Sequence, residues 1–173
     1  MTWQIEQNWD AGYDNIALLQ SLIHRKKLLL FKTTSKLFSE ETVVEEHRIL
    51  ISKFTHQLFL SIGKPFEKTT ELERQILASF SFGAIHAQCF LNQLPALEIH
   101  KLAIFILTAE FKYTPQQAKD FVEHLIQVAS DKELHPTTHA IIHRGIDGHR
   151  QFINSDYVNL SNNINGILTL ICP

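Results

Sequence analysis

This sequence of 173 residues contains few cysteines, no long apolar run and no surplus of positive charge. Two cysteines, Cys89 and Cys172, are too few for the disulfide framework of a small secreted protein, so we interpret both as free thiols. Sixteen Lys and Arg residues stand against eighteen Asp and Glu residues, which gives a formal net charge of −2. A general nucleic-acid binder is therefore disfavoured, because such proteins need surplus cations that face the phosphates.

Targeting and membrane signals are missing as well. The most apolar stretch, residues 102–109, is far shorter than the roughly 20 residues that span a bilayer. Residues 1–6 do not begin a basic segment followed by an apolar one, as a secretory signal would. We therefore expect a cytoplasmic protein without a membrane partner.

The apolar pattern is helical almost throughout, in a composition with 45% hydrophobic and 20% charged residues. Six glycines and five prolines fall mostly between the periodic segments, where helices begin and end. The predicted helices span about residues 16–30, 43–62, 71–94, 95–112, 115–130 and 136–154. The sequence thus predicts an all-α fold, a compact single-domain bundle of about six helices over residues 1–173.

The predicted helix at 71–94 is rich in small residues, which allow a neighbouring helix to come close. They are Ala78, Ser79, Ser81, Gly83, Ala84 and Ala87. We therefore predict that this helix is central, with Gly83 either at a close approach or simply tolerated. The tail at 154–173 is rich in asparagine and ends in an apolar run, so we expect it to dock on the bundle as a helix or a strand.

Histidines are abundant, and four of the ten lie between residues 135 and 149. His139, His143 and Asp147 are spaced by four and form one stripe on the predicted helix. One hypothesis is a metal site, with Asp147 or a residue of another helix as third ligand. The other is a structural cluster that forms hydrogen bonds between helices. We favour the structural cluster, because no metalloprotease or di-iron helix motif is present.

Two glycines interrupt that same helix and lower its intrinsic stability by about 2 kcal/mol. Gly145 and Gly148 have two explanations, which the sequence leaves open. The helix packs closely against the small residues around Gly83, or it bends there and exposes a binding site. The side chains that a bend would expose are Arg144, His149 and Arg150.

Acidic side chains cluster twice along the chain. The denser group is Glu40, Glu41, Glu45 and Glu46, and the second is Asp120, Glu123, Asp131 and Glu133. Either is a solvated helix face or a partner-binding patch, and we favour the first group as the patch. No nucleophile elbow and no phosphate-binding glycine loop occurs, so we expect no catalytic residues and no cofactor.

Two segments carry a resemblance to a known family. Residues 81–85 read Ser-Phe-Gly-Ala-Ile, and residues 139–147 read His-Ala-Ile-Ile-His-Arg-Gly-Ile-Asp. Over about residues 71–153 the chain resembles the immunity protein 48 family of bacterial polymorphic toxin systems. The resemblance implies an all-helical cytoplasmic protein that binds and neutralises a cognate toxin, and it supplies no catalytic residues.

Two classes of function therefore stand at this point. The leading one is a toxin-binding immunity protein, whose candidate contacts are the Arg144, His149 and Arg150 group or the Glu40 group. The alternative is a small helical enzyme or metal-binding protein that uses His139, His143 and Asp147. A ligand-binding regulator ranks third, because no basic recognition helix is evident.

Overall fold

The computed structural model describes residues 37–172 of the protein, with side chains from residue 45 onward. The helix predicted at 16–30 and the side chains of Glu40 and Glu41 lie outside the described residues. Within that range there are six helices, one short 3-10 turn at Phe66–Lys68 and no strand. The helices are α1 (Leu37–Ile62), α2 (Glu71–Leu91), α3 (Ala96–Ala109), α4 (Pro115–Ser130), α5 (Pro136–Ile153) and α6 (Tyr157–Ile171). The predicted all-α fold is confirmed.

Local sequence signals place the starts of α2 and α4. The Thr70 hydroxyl accepts a hydrogen bond from the Glu73 backbone at 3.2 Å, and the Glu73 carboxylate accepts one from Thr70 N at 2.8 Å. Thr114 and Gln117 form the same reciprocal capping box at α4. These bonds satisfy backbone donors that the first turn of a helix leaves unpaired.

The centre of the fold is a contact between the backbones of α2 and α5. A Cβ atom at Gly83 would lie 2.0 Å from the carbonyl oxygen of Ile142, and one at Gly145 would lie 2.0 Å from the carbonyl oxygen of Phe80. At Gly148 a Cβ would lie 2.5 Å from the Phe80 ring. We call this contact the glycine seam. It confirms the central position of α2 and the packing explanation of the glycines in α5.

Aromatic and aliphatic side chains complete the core around that seam. Phe54 of α1 stacks on Phe80 at 6.1 Å between ring centroids, and it meets the edge of Phe152 at 5.5 Å. The Asn-rich tail forms α6, which packs on α1 and α5 and buries Leu160 and Ile164. No helix within residues 37–172 combines the length and the apolarity that a membrane crossing requires.

Candidate functional site

The predicted site residues on α5 fall into three groups with different surroundings. His149 is buried in the core, His139 and His143 form a pair, and Arg144, Asp147 and Arg150 line a groove beside α6. The glycine seam fixes α5 against α2, so each of these groups has a defined environment.

The histidine pair consists of His139 and His143, one turn apart. Their Nε2 atoms are 3.2 Å apart, and their ring centroids are 4.3 Å apart. Burial lowers the pKa of both imidazoles, and for His143 the neighbouring His139 and His86 lower it further, to about 4. At neutral pH both rings are therefore uncharged, and one can donate a hydrogen bond to the other.

Asp147, the third residue of the predicted stripe, takes part in an ion pair. Its Oδ1 accepts a hydrogen bond from Arg150 Nη2 at 3.2 Å. In the described part of the chain, no group of three or more His, Cys, Asp or Glu side chains is arranged to hold a metal ion. A metal hypothesis must therefore rest on the histidine pair alone.

A second histidine cluster was not predicted from the sequence. Gln88 of α2 donates from its amide nitrogen to His47 Nδ1 at 2.9 Å, and its amide oxygen accepts from His149 Nε2 at 2.8 Å. His149 is only 2% exposed, and burial lowers the pKa of both imidazoles. We call this group the buried bridge, because it joins α1, α2 and α5. His149 belongs to the core, so of the two explanations that the sequence left open, the one in which a bend exposes His149 is wrong.

An open groove of about 310 Å³ lies between α5 and α6. Its described lining is entirely polar: Arg144, Asp147, Arg150, Gln151, Asn159, Asn162 and Asn163. Arg144 Nε donates to Asn163 Oδ1 at 2.5 Å, and the Asn163 amide donates to Arg144 O and to Gln151 Oε1, each at 3.1 Å. The structure thus keeps the two predicted arginines together at one exposed surface, which we call the arginine groove.

The acidic face lies elsewhere, on α1 near α3. Glu45 and Glu46 are exposed, and Glu45 pairs with Arg48 at 3.3 Å. The Arg48 guanidinium in turn lies 4.7 Å from the centre of the Phe105 ring of α3. One of the two described acids is therefore already paired within the protein.

Neither cysteine resembles an activated nucleophile. Both are free thiols, as the sequence indicated. Burial raises the pKa of Cys89 to about 12. Since the thiolate is the reactive form, this thiol is inert at neutral pH.

Comparison with known proteins gives one match. The family model described as Immunity protein 48 matches residues 43–172, which include all six described helices except the start of α1. No curated protein and no solved structure matches the chain. The match agrees with the resemblance at residues 71–153 and extends it in both directions. The chain therefore belongs to the Immunity protein 48 family, whose members have a role in immunity to a toxin.

Proposed function

We propose that this protein acts in the bacterial cytoplasm, where it binds a cognate polymorphic toxin and neutralises it. The observation that carries the proposal is the family match over residues 43–172. The matched residues include the arginine groove, the histidine pair and the buried bridge. The partner is a protein, which agrees with a net charge of −2 that does not favour nucleic acid.

Neutralisation by binding also agrees with the chemistry of the exposed residues. The arginine groove presents guanidinium and amide groups, which are suited to recognition by hydrogen bonds. The histidines of the buried bridge are inside the core, and the Cys89 thiol is inert. We therefore place the function in a contact surface, and we expect the toxin to be blocked by occlusion.

Two surfaces compete for that contact. The arginine groove, with Arg144 and Arg150, is our first choice because both arginines are exposed on α5 and Arg144 is held by a hydrogen bond to Asn163 of α6. The acidic face around Glu45 and Glu46 is the second choice. Glu40 and Glu41 belong to the same acidic group in the sequence. An acidic patch would suit a basic toxin through electrostatic steering.

Growth rescue separates the two surfaces. The probe is the C-terminal domain of the toxin encoded by the neighbouring gene, co-expressed with this protein in a bacterial host. Wild-type protein is expected to restore growth, and the double variant Arg144→Ala and Arg150→Ala is expected to fail while still folding. If Glu45→Lys with Glu46→Lys fails instead, the contact lies on the acidic face. A wild type that gives neither rescue nor a complex in gel filtration would exclude the immunity function.

The metal-binding alternative has its own test. The 3.2 Å separation of the two Nε2 atoms would let His139 and His143 bind one ion together. We propose that the pair is structural, and we expect untagged protein to contain no stoichiometric transition metal. Elemental analysis that finds about one metal per chain, released by His143→Ala, would reverse this assignment.

A further inference from the structure

Arg144 brings to the groove a positive charge that no carboxylate neutralises among the side chains of residues 45–172. Asp147, the acid in the described lining, pairs with Arg150 instead. Two arginines and one aspartate leave this lining with a surplus of positive charge. Since the other lining groups are neutral amides, an anionic group is the ligand that the groove favours.

The guanidinium of Arg144 is also oriented before any ligand arrives. Its Nε donates a hydrogen bond to Asn163 Oδ1, and its Nη2 lies 3.4 Å from the backbone carbonyl oxygen of Asn163. Asn163 is itself 7% exposed and held by Gln151. The remaining terminal N–H groups of Arg144 are therefore available to a ligand, at a reduced loss of side-chain entropy.

Three exposed apolar side chains lie where α5 ends and α6 begins, and we call them the apolar rim. They are Ile153, Tyr157 and Val158, which are 50%, 44% and 73% exposed and lie within two residues of the lining residues Gln151 and Asn159 in the chain. Arginine and tyrosine are enriched among the residues that contribute most to binding in protein interfaces. A free anion would leave this rim uncovered, whereas a protein segment would cover it.

We propose that the arginine groove receives an acidic segment of the toxin, with one Asp or Glu carboxylate bound by the terminal N–H groups of Arg144. An apolar side chain of the same segment packs against the rim. Arg150 keeps its ion pair with Asp147 and contributes less to the contact, because that carboxylate already offsets its charge. This proposal rests on the toxin-binding function above and specifies the chemistry that the site recognises.

Calorimetric titration tests the proposal with the full-length protein. The probe is a catalytically inactive form of the C-terminal domain of the toxin encoded by the neighbouring gene. Arg144→Gln is expected to weaken binding by at least about 30-fold, as the loss of a central arginine contact does. Arg150→Gln is expected to weaken binding less, since Asp147 already shares its charge. The matched control is Lys101→Gln, which removes an exposed cation paired with Glu98 on α3 and should leave the affinity unchanged.

A charge scan of the toxin identifies the matching carboxylate. One Asp→Asn or Glu→Gln change in the toxin should weaken binding as much as Arg144→Gln does. Combining that toxin change with Arg144→Gln should weaken binding little further. If both arginine variants bind like wild type, the groove assignment is wrong and the immunity function stands. If the wild type does not bind, both are wrong. If a single-stranded RNA oligomer binds the wild type and not Arg144→Gln, the groove recognises phosphate, and the acidic-segment proposal is overturned.

Discussion

At the scale of single residues, the space beside a helical glycine decides whether alanine in its place would stabilise or destabilise the protein. Gly83 faces the backbone of α5, where an added Cβ would lie 2.0 Å from a carbonyl oxygen. Gly166 of α6 has room, because its nearest neighbour would be Arg144 Nη2 at 3.9 Å from the added atom. Both glycines are in helix interiors, so intrinsic propensity treats them alike.

Alanine at these two positions should therefore change stability in opposite directions. Gly83→Ala is expected to lower the free energy of unfolding by about 1–3 kcal/mol, because a backbone carbonyl cannot move aside cheaply. Gly166→Ala is expected to raise it by about 0.5–1 kcal/mol through helix propensity. Urea denaturation followed by circular dichroism measures both. Equal effects of the two changes would contradict the close approach of α2 and α5.

At the scale of elements, helix starts were more predictable than contacts between helices. Thr70 and Thr114 cap α2 and α4 through residues three positions away, so a local pattern was enough. The buried bridge joins Gln88 to His47 and His149, at separations of 41 and 61 residues. Nothing local marks such a partner, and the same reason left the two explanations of Gly145 open until the fold was known.

The buried bridge makes a prediction about Gln88. Gln88→Met keeps the size of the side chain but leaves two buried imidazoles without their amide partner. We expect the free energy of unfolding to fall by about 1–3 kcal/mol, the cost of unpaired buried polar groups. The control is Gln75→Met, at an exposed position of the same helix, which should have little effect. A stable Gln88→Met variant would mean that the bridge contributes nothing to the association of α1, α2 and α5.

At the scale of the whole molecule, burial keeps many histidines neutral at once. Burial lowers the pKa of His47, His86, His100, His139, His143 and His149 from the ordinary value of 6.5. Below about pH 6.5 the unfolded chain binds protons that the folded protein does not. The contribution of these neutral imidazoles to the free energy of unfolding is therefore fully present above that pH. It declines as the pH falls toward the lowered pKa values of the folded protein.

Lowering the pH should thus destabilise the protein already at pH values above those at which its carboxylates titrate. We expect a lower free energy of unfolding at pH 5.0 than at pH 7.5, measured in urea at both pH values. His143→Gln should show a smaller difference, because the pKa of His143 in the folded protein is about 4. His56→Gln, at an exposed position of α1, is the control and should keep the wild-type difference. Equal stability at the two pH values would contradict the burial of these imidazoles.

The glycine seam also bears on how the protein can change over generations. The contact between α2 and α5 is made by the backbones at Gly83 and Gly145, so the side chains of Arg144 and Arg150 are not needed to bring the two helices together. Under the proposed toxin-binding role, mutations at the exposed lining positions Arg150, Asn159 and Asn162 can then alter recognition at little cost in folding, whereas Arg144 also holds the buried Asn163 of α6. An immunity protein that must follow a changing toxin would gain from this separation, since its recognition surface can diversify while its scaffold stays the same.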